Sequence, residues 1–369
     1  MTRQLIEIAR AGRYDSPVAR IGIIGTGWGV RAQAPNFRDA GLEVVAIAGS
    51  HRNKTKRFAD ELGVEPFDDW RVLVARGDID LISVVTPPSE HAAMAVAVLA
   101  AGKHLLCEKP TALDAAEAET MVAAGRRNPG QVAIIDHELR FLPSFRAARE
   151  RIAELGPIRY AEVRYASPAR GDRRMPWNWW SDAARGGGVW GAVGSHFVDA
   201  LRYLGMEVEA VQAALHTFVG ERPFGDAMKQ ATADDFAAVT LRLRGGALAA
   251  MTFSGVSAGP EERAVLTIHG ENGAMRLTGE ELLLSVRGEP FTRAAGGEAA
   301  DRPGNSFGGA FGTGTFHLGR ALRAALDDGD SAALAPAATL EDGLAQQRVL
   351  DAVRRSSANG GGNIDPLIF

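Results

Sequence analysis

The chain has 369 residues, a length that suits two domains better than one. Its formal net charge of −4 argues against nucleic acid as a partner, and its single cysteine, Cys107, excludes an intrachain disulfide and fits a reducing compartment. The start of the chain has no apolar core of signal-peptide length, and the longest apolar run, 92–101, is far shorter than a membrane span. We therefore expect a cytoplasmic protein that binds neither nucleic acid nor membranes, and we expect no metal site.

From residue 20 to residue 136 the sequence alternates short strands with helices. The predicted strands are apolar runs rich in valine and isoleucine, at 20–25, 42–49, 79–87, 103–108 and 131–136. Helical segments separate them, near 28–39, 53–62, 89–101 and 114–125. Such βαβ units form a parallel sheet covered on both faces. We predict an N-terminal extension, 1–19, followed by a Rossmann domain, 20–138.

The remainder of the chain, 139–369, is predicted to be an α+β domain. Alternating strand patterns follow one another at 158–166, 208–218, 236–244, 246–255, 264–270, 273–279 and 281–288, and they indicate antiparallel strands. A glycine-rich stretch, 294–314, is predicted to be a mobile loop. Helices near 316–327 and 340–356 close the chain, and the sequence leaves open whether the last one packs on the first domain.

The segment IGIIGTGWGVR follows the first strand directly and opens a helix. Gly25 permits the tight turn, and Gly27 lets the backbone approach a pyrophosphate above the helix N-terminus. The third glycine of the GxGxxG pattern falls at Val30, so the match is imperfect. We predict a dinucleotide site here, with a plain strand–helix turn as the alternative. The predicted contacts are Gly25, Thr26, Gly27 and Trp28.

The end of the second strand predicts which dinucleotide binds. An acidic residue is expected about 20 residues beyond the loop, where it would hold the ribose 2′-hydroxyl of NAD. Ser50 occupies this position and is followed by His51 and Arg52. A carboxylate would repel a 2′-phosphate, whereas Ser50 and Arg52 would bind one, so NADP is favoured over NAD. The alternative is that Arg52 is only a solvated residue at a helix start.

Five motifs follow one another through the chain: GTGWG, TPPSEH, GKHLLCEKP, HELRFLP and GGGVWGAVGSH. In this order they resemble the Gfo/Idh/MocA family, which includes glucose–fructose oxidoreductase and inositol dehydrogenase. The resemblance implies a Rossmann domain followed by a domain with a large open sheet. It also implies a nicotinamide cofactor and hydride transfer at a hydroxyl or carbonyl carbon, usually of a sugar or cyclitol.

The resemblance also assigns roles around the fourth and fifth strands. Thr86, Pro87 and His91 should line the cofactor, with Glu108 near its nicotinamide ribose. Lys109 would then lie near the reacting atoms, and the Lys109–Pro110 peptide is expected to be cis. The alternatives are a strand ended by two prolines, a helix first-turn histidine and a surface ion pair.

His196 is the second candidate for proton chemistry. Glycines 186–188, Gly194, His196 and Asp199 match the family pattern, but Ala192 stands where the family has an aspartate. Small residues before His196 would let substrate and nicotinamide approach the helix. Its intrinsic pKa suits a general base, whereas Lys109 needs a lowered pKa. We predict that both are catalytic; the alternatives are altered chemistry or a core histidine.

The substrate mouth is predicted from the arginines and tryptophans before the glycines. Indole faces stack on sugar rings, and arginines hold carboxylates or phosphates. Arg140 is expected at the substrate or, equally, in a salt bridge between the domains. Asp199 orients His196 or binds substrate, or it pairs with Arg202. The predicted substrate contacts are Arg140, Trp177, Trp180, Arg185, His196 and Asp199.

Together these features predict an NADP-preferring oxidoreductase that interconverts a hydroxyl and a carbonyl on a sugar-like or cyclitol substrate. One alternative is a non-catalytic dinucleotide-binding sensor or regulator of the same fold. A second is an oxidoreductase of dihydrodiols or other non-sugar carbonyls. The resemblance implies a homodimer or homotetramer formed through the open sheet.

Overall fold

A computed structural model describes residues 18–259, 262–296 and 308–367. Residues 1–17 of the predicted N-terminal extension, 1–19, therefore lie outside the described residues. Within the described ranges, no helix combines the length and the apolar character that crossing a bilayer requires.

The first half of the chain forms a parallel sheet with strand order β6-β5-β4-β1-β2-β3. Its strands are β1 (Arg20–Ile24), β2 (Glu43–Ala48), β3 (Glu65–Phe67), β4 (Leu81–Val84), β5 (His104–Cys107) and β6 (Ala133–Ile135). The helices between them are α1 (Ala34–Asp39), α2 (Arg52–Leu62), α3 (Trp70–Val74), α4 (Pro88–Ala100) and α5 (Ala115–Arg127). The predicted Rossmann fold is thus confirmed, but β3 and α3 were not predicted because each is too short for a periodic pattern.

Both faces of this sheet are buried, as the apolar strands predicted. Every residue of β4 is buried, because neighbouring side chains point to opposite faces and both faces are covered. On one face the strands pack against Val98 and Met121 of α4 and α5. On the other they pack against Phe37 of α1 and against Leu318 and Leu322 from a helix near the end of the chain.

The second half of the chain builds a larger sheet with strand order β16-β15-β14-β13-β7-β12-β11-β8. Adjacent strands in this sheet are antiparallel, except β7 and β12, which run parallel to each other. The predicted mostly antiparallel sheet is therefore confirmed. The strands are β7 (Ile158–Ala166), β8 (Val208–His216), β11 (Phe236–Leu243), β12 (Leu248–Ser254), β13 (Glu262–Gly270), β14 (Gly273–Leu277), β15 (Glu281–Val286) and β16 (Thr292–Gly296). A separate hairpin, β9 (Glu221–Phe224) and β10 (Ala227–Gln230), was not predicted.

Helices cover one face of the larger sheet. They are α6 (Pro143–Arg151), α7 (Ser195–Tyr203) and α9 (Leu340–Ala358), and Phe311 at the start of α8 (Gly309–Asp327) packs against the same core. Strand residues alternate between this core and solvent, as in β12, where Met251 and Phe253 are buried and Thr252 is exposed. The core of the second half therefore lies between the sheet and these helices.

The end of the chain returns to the first sheet. Strand β17 (Ala338–Thr339) pairs antiparallel with β6, and Asp351 of α9 accepts a hydrogen bond from the Ala115 backbone of α5 at 2.8 Å. On the opposite side of α9, Ser356 Oγ accepts a hydrogen bond at 3.0 Å from the backbone N–H of Ala213 in β8. The last helix therefore packs on both sheets. The domain boundary at 138/139 stays a prediction.

The predicted mobile loop at 294–314 was wrong at both ends. Residues 294–296 belong to β16, and α8 begins at Gly309 instead of near residue 316; residues 297–307 lie outside the described residues. Gly314 and Gly319 of α8 serve packing. A Cβ on Gly314 would lie 2.6 Å from the carbonyl oxygen of Glu138, so only glycine lets α8 approach that backbone closely.

Candidate active site

The turn after β1 has the geometry of a dinucleotide loop. Gly25 adopts φ +132°, and a Cβ there would lie 2.1 Å from the Val85 carbonyl oxygen. A Cβ on Gly27 would meet no described atom within 4 Å, so its backbone faces open space, and Thr26 and Trp28 beside it are half-buried. The following helix starts as a π-helical turn, Gly29–Gln33, and continues as α1. These residues fit a pyrophosphate above a helix N-terminus.

The residues predicted at the ribose lie beside this turn. The Gly25 N–H donates to the Ala48 carbonyl at 2.8 Å, which brings the end of β2 next to the phosphate loop. Ser50 and His51 are exposed, and Arg52 begins α2. The Arg52 side chain is exposed and lies 3.4 Å from the carboxylate of Asp68. A 2′-phosphate at this edge would therefore compete with Asp68 for Arg52.

His91 lies behind the loop that follows β4. Its Nε2 is 2.8 Å from the Thr86 carbonyl oxygen, and its Nδ1 is 3.0 Å from the carbonyl oxygen of Pro110. The ring is fully buried, and burial lowers its pKa. Thr86 and Pro87 are half-buried at the mouth of this loop. His91 thus joins two strand-end loops, and a direct contact with the cofactor stays a prediction.

A buried group of polar side chains connects the phosphate loop with Glu108. Gln33 Nε2 donates to Glu108 Oε1 at 3.0 Å and to Asp136 Oδ2 at 2.7 Å, while its Oε1 accepts from Ser83 Oγ at 2.6 Å. Burial raises the pKa of both carboxyl groups, and Glu108 raises that of Asp136 further. Two buried carboxyl groups this close favour one shared proton. Gln33 and Asp136 were not predicted.

Lys109 reaches across to the second half of the chain. The Lys109–Pro110 peptide is cis, as expected from the resemblance. Lys109 Nζ donates to the backbone carbonyl of Ala192 at 2.8 Å. Ala192 lies in a π-helical turn, Trp190–Gly194, which leads directly into α7. A backbone carbonyl therefore holds the ammonium group at the position where the resemblance predicted an aspartate.

His196 lies in the first turn of α7 with only 3% of its surface exposed. Its Nδ1 is 3.7 Å from Oε2 of Glu138, and its ring packs at 4.8 Å from that of Phe311 in α8. Burial, together with the charges of Lys109 and His137, holds the pKa of His196 well below its usual value. The small residues before it are thus part of an enclosed site.

His137 and Glu138 are the site residues that the sequence reasoning missed. They directly follow β6, and the D-H-E sequence at the carboxyl end of a buried parallel strand was the available signal. Burial and the nearby carboxylate of Glu108 raise the pKa of Glu138 to about 8. Burial lowers the pKa of His137 to about 4, and its ring lies edge-on to His196 at 6.1 Å.

Arg140 forms a buried salt bridge with Asp199, and both residues lie within the predicted second domain, 139–369, so this is not the predicted salt bridge between domains. Its Nε and Nη2 donate to the two oxygens of Asp199 at 2.8 Å and 2.6 Å. Asp199 also lies 3.8 Å from Nδ1 of His137. Arg202, the other predicted partner of Asp199, instead binds Glu207 at 3.0 Å. A contact of Arg140 or Asp199 with substrate stays a prediction.

The three predicted mouth residues contact different parts of the molecule. Arg185 donates to Glu90 in the first turn of α4 at 2.9 Å. Trp177 lies beneath the ammonium of Lys229 at 3.3 Å from the ring centroid, against the β9–β10 hairpin. Trp180 lines a small cavity of about 20 Å³ with Arg170 and other residues. A contact of these three residues with substrate stays a prediction.

The dinucleotide loop, the half-buried Lys109 that reaches the turn before the buried His196, and the large open sheet are consistent with an oxidoreductase built on an NAD-binding Rossmann fold. Residues 19–135 match the "Oxidoreductase family, NAD-binding Rossmann fold", and residues 145–276 match the "GFO/IDH/MocA C-terminal domain". The chain belongs to the Gfo/Idh/MocA family, as the five motifs predicted.

Relatives and solved structures share this architecture over nearly their whole length. The chain is 31% identical to "Glucose-fructose oxidoreductase domain-containing protein 2" of Xenopus tropicalis, with 92% of each chain covered. An oxidoreductase domain protein from Kribbella flavida is 28% identical, covers 95% of this chain and 100% of its own, and has a TM-score of 0.83. Levoglucosan dehydrogenase in complex with NADH and L-sorbose also has a TM-score of 0.83 at 23% identity, with 95% and 99% covered, which shows the fold.

Proposed function

We propose that this protein transfers a hydride between a nicotinamide cofactor and a carbon that carries a hydroxyl or carbonyl group, on a sugar-like or cyclitol substrate. The observation that carries the proposal is the convergence of Lys109 and His196 at one end of the parallel sheet, where Lys109 binds the carbonyl of Ala192 four residues before His196. Ligands of open α/β sheets bind at this end, beside the phosphate loop. This arrangement supports a role for both side chains in proton transfer beside a bound cofactor.

The protein's own contribution is to move the proton. A nicotinamide cofactor held at the loop of Gly25 and Gly27 would supply the acceptor for the hydride of the substrate C–H bond. His196 takes the proton from the substrate O–H, and the C=O bond forms. Lys109 donates a hydrogen bond to the developing oxygen, with its ammonium oriented by the Ala192 carbonyl. In the reverse direction the same groups return the proton.

The test is a turnover screen with polyols, aldoses, sugar acids and cyclitols, using the wild-type protein, Lys109→Met, His196→Asn and, as a matched control, the exposed His216→Asn. Removing an acid or base should lower kcat by about 10²-fold or more, whereas His216→Asn should leave it unchanged. Dinucleotide binding without turnover of any substrate would replace the proposal with a sensor, a role that Ala192 favours because it lacks a carboxylate. Turnover of a dihydrodiol or non-sugar carbonyl alone would replace only the substrate class.

For the cofactor, we propose NADP in preference to NAD. Ser50 places no carboxylate at the end of β2, and Arg52 stands two residues further on. Asp68 opposes this preference because it already pairs with Arg52. Fluorescence titration with NADPH and NADH should show tighter NADPH binding, which Arg52→Ala abolishes and Asp68→Asn strengthens. Equal affinities in the wild-type protein would contradict the preference.

For the assembly, we propose a homodimer or homotetramer formed through the open face of the larger sheet. Helices α7 and α9 pack on its other face. The open face exposes large side chains, with Tyr160 41% and Leu248 50% exposed. Analytical ultracentrifugation of the wild-type protein and of Leu248→Arg tests this: a wild-type oligomer should dissociate in the variant, and a wild-type monomer would contradict the proposal. With one cysteine in 369 residues, we propose a cytoplasmic location.

A further inference from the structure

We propose that Glu138 is a positioning residue for His196: it holds the Nδ1 side of the imidazole, shares one proton with it, and leaves Nε2 for the substrate hydroxyl. The inference rests on the proposed function and adds a member to its proton-transfer group. The two groups come from different halves of the fold, because Glu138 follows β6 and His196 begins α7.

The geometry of the two side chains carries the inference. Glu138 Oε2 and His196 Nδ1 are 3.7 Å apart, and their side chains are 4% and 3% exposed. Among the described residues, neither atom has another hydrogen-bond partner. A buried polar atom without a partner is costly, and a hydrogen bond between these two atoms would satisfy both of them. A small approach of one side chain would close a hydrogen bond, as occurs when catalytic contacts tighten around substrate.

Helix α8 encloses this pair from the side. Phe311 packs on the His196 ring, and the backbone of Gly314 lies so close to the Glu138 carbonyl that a Cβ would be 2.6 Å from it. Water is therefore largely excluded, and electrostatic interaction between a carboxylate and an imidazolium is stronger here than in water. A proton taken up by His196 would be stabilised by Glu138.

Because residue 192 is an alanine, a carboxylate that orients His196 has to come from another part of the chain. Its side chain is a methyl group, and its carbonyl oxygen already accepts the hydrogen bond from Lys109. No carboxylate on the turn before α7 can therefore orient His196. Asp199, on the same helix as His196, is committed to Arg140 through both oxygens. Glu138 is left as the carboxylate that contacts the ring.

The charges around the pair set its behaviour with pH. Burial, Glu108 and Asp199 raise the pKa of Glu138, Lys109 lowers it, and the value is about 8. Lys109 and His137 also lower the pKa of His196. Below about pH 8 the pair therefore holds one proton, and above it the pair is a carboxylate beside a neutral imidazole. Hydroxyl oxidation needs the form without that proton, and carbonyl reduction needs the form with it.

The first test is nitrogen-15 NMR of His196 in the protein without cofactor, assigned with His196→Asn. The wild-type ring should show a titration step near pH 8, the value for Glu138, and should carry its proton on Nδ1 above that pH. Glu138→Gln should remove the step, and the exposed Glu119→Gln should leave it in place. The same tautomer and titration in Glu138→Gln as in the wild-type protein would overturn the inference.

The second test is activity on any substrate that the turnover screen identifies. In Glu138→Gln, kcat should fall at least tenfold with a smaller change in KM, and the rise of oxidation through pH 8 should disappear. Glu138→Asp should restore part of both. A Glu138→Gln variant with the wild-type pH profile would overturn the inference. If no substrate turns over, the proposed function fails, while the NMR result still decides whether Glu138 shares a proton with His196.

Discussion

Replacing Asp199 with asparagine should destabilise the protein strongly, because it removes the charge that holds a buried arginine. Two hydrogen bonds of 2.8 Å and 2.6 Å join Arg140 to Asp199, and their side chains are 7% and 2% exposed. Removing one partner of such a pair costs about 3 to 5 kcal/mol, since the other charge stays buried. Asp342, which lies 3.4 Å from Arg140 Nη1, would still neutralise part of the Arg140 charge in this variant. We therefore expect about 3 kcal/mol, near the lower limit.

The measurement is equilibrium unfolding in urea, followed by tryptophan fluorescence. Asp199→Asn and Arg140→Met should each lower the free energy of unfolding, and the double variant Arg140→Met/Asp199→Leu should recover much of the loss because no charge stays unpaired. Glu341→Gln is the matched control. It removes an exposed ion pair with Arg126 and should cost less than about 1 kcal/mol.

A loss of less than about 1 kcal/mol in Asp199→Asn would refute this reasoning. Arg140 would then be available to the substrate, one of the two roles that the sequence predicted for it. In that case Arg140→Met should raise KM with little change in stability.

Three further predictions concern the other parts of the site and core. Because burial raises the pKa of Glu138 to about 8, the protonated side chain stabilises the fold at low pH, and the free energy of unfolding should fall between about pH 5 and 8. In urea titrations, Glu138→Gln should remove roughly 2 to 5 kcal/mol of this pH dependence. Gly25→Ala should lower the melting temperature, because φ is +132°, whereas Gly27→Ala should leave it unchanged and weaken dinucleotide binding at least tenfold by fluorescence. Trp190→Ala should cost about 3 to 5 kcal/mol in urea unfolding, whereas the half-buried Trp177→Ala should cost clearly less.

The order of elements in the first half and the strands of the second could be predicted from the sequence. Apolar runs of four to six residues, bounded by glycine and polar residues, predict β1, β2, β4 and β5. A strand that is covered on both faces needs apolar side chains at successive positions, and this pattern is visible in the sequence. The same holds for the turn at Gly25, where the backbone conformation itself selects glycine. Gly309, Gly312 and Gly314 misled the prediction, because glycine is typical both of flexible loops and of close helix packing such as that at Gly314.

The sequence by itself determined the family, the Rossmann fold, the phosphate loop and the candidates Lys109 and His196, because motif order and local patterns carry that information. Only the tertiary structure decided which side chains meet. It paired Arg140 with Asp199, 59 residues apart, and brought Glu138 beside His196 from the other half of the fold. Such contacts depend on how one sheet packs against the helices of the other, and no local pattern records that packing.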